Sequence, residues 1–194
     1  MDIKKFVKLK CKEEYNERII FEGSCDVEEL SYFKNLIKNN NIKEVLEIGF
    51  NYGVSTDNFF KSDNKLKVLS FDLGKHGYEK YGKEYIDLHY PDKHELIIGD
   101  SQVTIPDYIS DKKYDLIFID GGHSYKCCKN DFNNIIRFCN NNSIIVIDDT
   151  CGTKPYSKGP RKVVDELLNN NIIRDLKHFE NNKQTRHWSE FKLL

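Results

Sequence analysis

The chain has 194 residues, 39 % of them hydrophobic and 31 % charged, with a formal net charge of −1. That length suits one domain with a sizeable core, and the composition is that of a soluble globular protein. The near-neutral balance excludes a dominant basic field for nucleic acid or an anionic membrane surface. No apolar run approaches the roughly 18 residues of a membrane helix, and the opening "MDIKKFVKLK" lacks the apolar stretch of a secretory signal. The expectation is a cytoplasmic protein with no nucleic-acid and no membrane partner. Six cysteines, at 11, 25, 127, 128, 139 and 151, form no CxxC pair and match no zinc module. They read as free thiols in a reducing compartment.

Residues 1–194 read as a single domain, with an N-terminal arm at 1–25 and the core at 26–194. After the arm, "SCDVEELSYFKNLIKNN" reads as a helix. Asp26 is a good N-cap, Glu28 and Glu29 suit the first turn, and Leu30, Phe33, Leu36 and Ile37 recur at helical spacing. "KEVLEIG" is a strand and "VSTDNFFK" opens a helix; "KLKVLSFDL" is a second strand. Residues 75–92 are helical or irregular, "HELIIGD" is a third strand, and "VTIPDYISD" holds a short helix. "YDLIFIDGG" is a fourth strand, followed by a helix from Ser124 to Cys139, and "SIIVIDDT" is a fifth. Residues 151–160 form a loop, and Pro160 suits the first turn of the helix "RKVVDELLNN". The tail holds two strand-like pieces, "IIRDLKHFE" and "TRHWSEFKLL". Asparagine clusters at 39–41, 140–142, 169–171 and 181–182 fall at expected turns.

Strands separated by helices imply an α/β fold. The expected architecture is a Rossmann-like, seven-stranded, mostly parallel sheet with helices on both faces. The central strands are nearly continuous apolar runs, as a sheet covered on both faces requires. The last two strands leave no room for a crossover helix, so they form an antiparallel pair at one edge. Ligands on such sheets bind beyond the carboxyl ends of the strands. Each strand here ends in an acid: Glu47, Asp72, Asp100, Asp120 and Asp148.

The first strand end, "VLEIGFNYGVST", is not a dinucleotide fingerprint. Counted from Gly49, Asn51 and Val54 replace the second and third glycines of GxGxxG, and no Gly-Lys-Ser/Thr follows. The loop suits a ligand with a cationic portion and no phosphates. "EIGFNYG" resembles motif I (E/DxGxxxG) of the class I S-adenosylmethionine-dependent methyltransferases. That resemblance implies S-adenosylmethionine as cofactor, with Glu47, Gly49, Asn51 and Gly53 in its loop. Asp72 then resembles the ribose-binding acid. "GDS", with Asp100 and Ser101, resembles the loop that reads the adenine. Ser55 reads either as a contact to the methionine carboxylate or as a first-turn cap.

"FIDGGHSY" and "VIDDT" resemble the metal-dependent O-methyltransferases that act on sugar hydroxyls, the macrolide-sugar and rhamnosyl enzymes. If strands four and five are neighbours, about 4.8 Å apart, Asp120 and Asp148 converge with Asp149 just beyond. Three clustered carboxylates repel one another unless a cation or a shared proton relieves them. Hard oxygen ligands favour Mg²⁺ or Ca²⁺. A metal that holds an acceptor hydroxyl orients it and lowers its pKa, and His123 could take the proton. The resemblance implies Asp120, Asp148 and Asp149 as metal ligands, with Mg²⁺ as the metal, and His123 as base. Asp120 then serves catalysis, cofactor and metal alike.

The implied reaction is methyl transfer to a hydroxyl of a sugar or glycan, the acceptor being a small molecule or a nucleotide-linked sugar. Little sequence is left for a dedicated lid, so the loops at 73–92 and 151–160, or a second subunit of a homo-oligomer, must cover the acceptor. A catechol-type O-methyltransferase, a nucleotide-binding oxidoreductase and a non-catalytic cofactor-binding module are the other readings. Tyr78, Tyr81 and Tyr85 share one helical face and either line an acceptor pocket or pack on the sheet. Lys158, Arg161 and Lys162 either meet an acidic acceptor or form a solvated cluster.

Overall fold

The computed structural model describes residues 1–15, 21 and 23–194. Five strands, β1 (Glu44–Ile48), β2 (Lys67–Asp72), β3 (His94–Ile98), β4 (Leu116–Ile119) and β5 (Ile144–Asp148), alternate with helices. The chain ends in β6 (Ile173–Glu180) and β7 (His187–Leu193). Together they form a seven-stranded sheet in the order β3-β2-β1-β4-β5-β7-β6. β1 to β5 pair in parallel; β7 runs antiparallel to both β5 and β6, which puts the antiparallel strand one place in from the edge. The strand order reverses between β1 and β4, so the switch-point crevice opens above their carboxyl ends.

The alternation of side chains along each strand divides the core in two. Val45, Leu116, Phe118, Ile144 and Val146 face one side. There they meet α1 (Ile3–Tyr15), α2 (Val27–Asn39), α3 (Val54–Ser62) and α4 (Glu79–His89). Leu46, Ile48, Ile117, Ile119, Ile145 and Ile147 face the other, against α5 (Ser101–Asp107), α6 (Tyr125–Ile135) and α7 (Lys158–Asn169). Asp26 caps α2 as expected, accepting from the Glu29 amide at 2.9 Å. Pro160 lies in the first turn of α7.

Within the stretch read as an N-terminal arm, Ile3–Tyr15 form a helix, α1. In α1, Ile3, Val7 and Cys11 fall four residues apart and are buried, next to α3 and α4. Lysines between them obscure this narrow stripe in the sequence. Residues 16–20 and 22 of the arm lie outside the described residues. Tyr78, Tyr81 and Tyr85 are buried in the same layer, so their role is packing. All six cysteines are free.

Candidate active site

A cleft of about 340 Å³ lies over the carboxyl ends of β1, β2, β4 and β5. Asn51, Asp72, Asp100 and Ser101 line one end; Asp120, His123, Asp149 and Arg186 line the other. The loop after β1 forms its floor. Gly49 has φ +101°, and a Cβ there would overlap the Asp120 carbonyl oxygen. Only glycine lets the ends of β1 and β4 come so close. Asn51 is also left-handed, at φ +55°, and its amide donates to Asp72 Oδ2 at 2.7 Å. Asp72 Oδ1 accepts from the Gly74 amide at 2.8 Å. Two of the roughly four lone-pair sites of that carboxylate are therefore taken, and the rest face the cleft.

At the β3 end, Asp100 caps α5 by accepting from the Gln102 amide at 2.9 Å and also lines the cleft. Ser101 Oγ and Gln102 Nε2 both donate to Asp131 Oδ1, at 2.7 and 2.8 Å. Asp131 was not singled out by any motif. It is buried on α6, and burial pushes its carboxyl up to about 6. It fixes the turn that presents Ser101 and Gln102.

Three residues expected in the cofactor loop do not line this cleft. Glu47 does not reach the cleft. It is fully buried and accepts from Ser55 Oγ, from Thr56 Oγ1 at 2.6 Å and from Ser70 Oγ at 2.6 Å. The reason is register: Glu47 pairs with Ser70, two residues below Asp72, so it lies beneath the rim. Burial pushes its carboxyl up to about 7, against the opposing effect of the three hydroxyls. Ser55 is buried and its hydroxyl is committed to Glu47, which makes it a tie between α3 and β1. Gly53, at φ +86°, is the residue before α3, and a Cβ there would press on the Phe50 ring at 2.8 Å. Its role is to let α3 start.

At the other end, β4 and β5 are neighbours, as the reading of the acids required. Asp120, His123 and Asp149 each offer a ligating atom, all within 4.8 Å of one another. His123 Nε2 is 3.0 Å from Asp149 Oδ2 and 3.9 Å from Asp120 Oδ1. These two carboxylates, Asp120 first, raise His123 to about 10. Asp149 has φ +56°, a left-handed conformation that is strained for a non-glycine residue.

Asp148 does not join the group; His123 stands in its place. Asp148 ends β5 in register with Trp188 of β7, is 3 % exposed, and lies 3.8 Å from Arg186 Nη1. Its burial beside Glu29 and Asp120 raises its pKa well above the usual carboxylate range. Glu29 and Arg186 were likewise not read as site residues. Glu29 shares the stripe of Phe33, Leu36 and Ile37 on α2, which was the available signal. Nothing local marks Arg186, which the turn between β6 and β7 delivers. Lys158, Arg161 and Lys162 do not line the cleft.

Two carboxylates and an imidazole within 4.8 Å suit a divalent cation. Asn51 Oδ1 and Gln102 Oε1 are buried acceptors without a partner among the described residues, both in cleft-lining side chains. They suit a ligand that brings amino and hydroxyl donors. The cleft volume lies in the range of small-molecule sites, roughly 300–1,000 Å³.

The family described as a methyltransferase domain matches residues 46–150, more than half of the chain. The chain belongs to this methyltransferase family. The match runs from β1 to the end of β5 and so takes in both ends of the cleft. Comparison with curated protein sequences finds no match. Among solved structures, the fold resembles the O-methyltransferase from Bacillus cereus in complex with S-adenosylhomocysteine. The TM-score is 0.73 at 14 % identity, with 100 % of both chains covered. It also resembles the O-methyltransferase TomG from Streptomyces achromogenes, involved in tomaymycin synthesis and bound to S-adenosylmethionine. There the TM-score is 0.75 at 12 % identity, over 98 % of this chain and 88 % of that one. A TDP-rhamnose 3'-O-methyltransferase of calicheamicin biosynthesis matches with a TM-score of 0.63 at 16 % identity, over 84 % of this chain and 80 % of that one. These likenesses show a shared Rossmann-like methyltransferase fold.

Proposed function

We propose that this chain is an S-adenosylmethionine-dependent O-methyltransferase that acts, with a divalent cation such as Mg²⁺, on a hydroxyl of a sugar or another small molecule. The observation that carries the reading is the single cleft, which joins a nucleoside-suited end at Asn51, Asp72 and Ser101 to the Asp120–His123–Asp149 group. Asp72 is suited to accept from ribose hydroxyls, and Asp100 from an adenine amino group. Asp120 and Asp149 would hold the cation, which supplies positive charge that orients an acceptor hydroxyl and lowers its pKa. A cation on those carboxylates would take from His123 the anionic partners that raise its pKa, and His123 would be the residue placed to take the hydroxyl proton. S-adenosylmethionine would supply the sulfonium methyl, which passes to the acceptor oxygen as the sulfur–methyl bond breaks and the neutral thioether leaves; the chain's part is to position the two, which supplies much of the acceleration. The sugar preference is supported by "FIDGGHSY" and "VIDDT" and by the TDP-rhamnose enzyme among the structural neighbours.

The test is calorimetric titration with S-adenosylmethionine, with NAD⁺ as control, in Mg²⁺ and in EDTA. Methyl transfer is then assayed on nucleotide-linked sugars, free glycosides and catechols. Micromolar binding of the sulfonium ligand, with sugar methylation lost in EDTA, is expected. A folded protein that binds no S-adenosylmethionine in either buffer would refute the reading.

A further inference from the structure

The nucleoside-suited end of the cleft is backed by a buried carboxylate that no step of the proposed reaction uses. Asp131, on α6, is 1 % exposed and does not itself line the cleft. Its Oδ1 accepts twice from residues that do: from Ser101 Oγ at 2.7 Å and from Gln102 Nε2 at 2.8 Å. The same Nε2 lies 3.3 Å from Ser101 Oγ, so the three side chains close a triangle. Asp131 Oδ2 faces the loop after β4, where a Cβ on Gly121 would come within 3.2 Å of it. The carboxylate thus lies between α5 and that loop.

An ionised carboxylate can only accept, whereas a carboxamide has a donor end and an acceptor end. Asp131 therefore decides which way Gln102 points. The nitrogen is drawn to Asp131, and Oε1 is left buried with no partner among the described residues. The single hydroxyl hydrogen of Ser101 is committed to Asp131 in the same way, which leaves that oxygen only lone pairs. Asn51, also in the cleft wall, repeats the pattern: Nδ2 donates to the Gly23 carbonyl at 3.0 Å, and Oδ1 has no partner among the described residues. Asp72 and Asp100 add two carboxylates to the same wall. A buried acceptor without a donor forgoes its hydration without replacement, so these oxygens favour a ligand that brings N–H or O–H groups.

We propose that Asp131 is a positioning residue for nucleoside selection: by holding Gln102 with its carbonyl oxygen free, it favours a purine with a 6-amino group over one with a 6-oxo group. The amino group donates, whereas a 6-oxygen accepts and would meet acceptor with acceptor. Asp131 touches neither the ligand nor the reacting atoms and acts through Gln102 and Ser101. The inference rests on the reading that this end of the cleft holds the adenosyl part of S-adenosylmethionine.

The experiment is calorimetric titration of the full chain at pH 8.0 with S-adenosylhomocysteine and with S-inosylhomocysteine, its 6-oxo counterpart, neither of which needs an acceptor or turnover. Wild type is expected to bind the adenosyl ligand about tenfold or more tightly than the inosyl one. Asp131→Leu frees the Gln102 amide and the Ser101 hydroxyl to turn and donate. The adenosyl ligand then weakens, the inosyl ligand does not, and the preference falls to within about threefold. Gln102→Met, at a partly exposed position, removes the amide and narrows the preference likewise, and adding Asp131→Leu to it changes the ratio no further. A purely structural role for Asp131 would weaken both ligands by the same factor and leave the ratio intact, and that result would overturn the proposal. If Asp131→Leu does not fold, Gln102→Met decides alone, and a wild-type preference in that variant would overturn the proposal. Absence of S-adenosylhomocysteine binding by wild type would overturn the cofactor reading itself, whereas equal wild-type affinity for the two ligands would overturn only the selection.

Discussion

Gly49 and the backbone carbonyl of Asp120 share a space that admits no side chain: a Cβ at residue 49 would overlap that oxygen. This contact sets the width of the crevice between β1 and β4. Gly49→Ala would need both a strained φ and a shift of the β4 end. The expected outcome is a lower melting temperature and loss of S-adenosylmethionine binding in calorimetry. A folded variant with wild-type affinity would show that this approach does not shape the site.

Asp72 accepts from the Asn51 and Gly74 amides and still faces the cleft. Asp72→Asn removes an ionised acceptor, and a hydrogen bond to a charged group contributes about 1.5–3 kcal/mol. The dissociation constant for S-adenosylmethionine should rise about tenfold or more, with the fold intact by circular dichroism. Unchanged affinity would detach Asp72 from the cofactor.

His123 carries a sign that can be checked in metal-free protein. Its folded pKa is raised to about 10 from 6.5 by Asp120 and Asp149. The stabilisation is therefore fully present below pH 6.5 and is lost as pH rises through about 10. Melting temperatures in EDTA should fall along that limb, and His123→Gln should flatten it. Nuclear magnetic resonance of the imidazole should show the pKa dropping in Asp149→Asn.

His94 behaves in the opposite sense. It stacks on Phe50, with ring centroids 5.0 Å apart, and its Nε2 is 3.0 Å from Ser70 Oγ. Because Ser70 donates to Glu47, it accepts from His94 Nε2–H. Burial lowers the imidazole to about 3, so its stabilising contribution is present above pH 6.5 and is lost as pH falls toward 3. His94→Gln should make the acid limb of the stability curve shallower between pH 6.5 and 4, as read by thermal melts at fixed ionic strength.

Cys127 lines the cleft beside Gly122, whereas Cys139 lies away from it. Saturating S-adenosylmethionine should slow alkylation of Cys127 by N-ethylmaleimide, measured by peptide mass spectrometry, and leave Cys139 as an unaffected reference. Equal protection of both thiols would point to general rigidification instead of occupancy.

The rim of acids was legible because strands of a parallel sheet all end at one side, so an acid at each strand end must lie on one edge. Which of those acids open into the cleft was not legible. Glu47 and Asp72 read alike in the sequence, but the β1–β2 register sets Glu47 beside Ser70 and below the rim. Asp148 and Asp149 are adjacent, yet the left-handed backbone at Asp149 turns one toward His123 while the other is buried beside β7. Asp131 escaped notice because an acid on α6 gains its meaning only from Ser101 and Gln102, contributed by another helix.

By itself, then, the sequence determined the alternation of strands and helices and the glycine at the β1 turn, since both are written in local spacing. Only the tertiary structure decided that Glu47 and Ser55 tie β1 to α3, that His123 and not Asp148 stands beside Asp120 and Asp149, and that Asp148 is buried beside Arg186. The physical reason is that a carboxylate's role depends on what solvates it, and its neighbours here can come from residues more than a hundred positions away, as Asn181 does for Asp26.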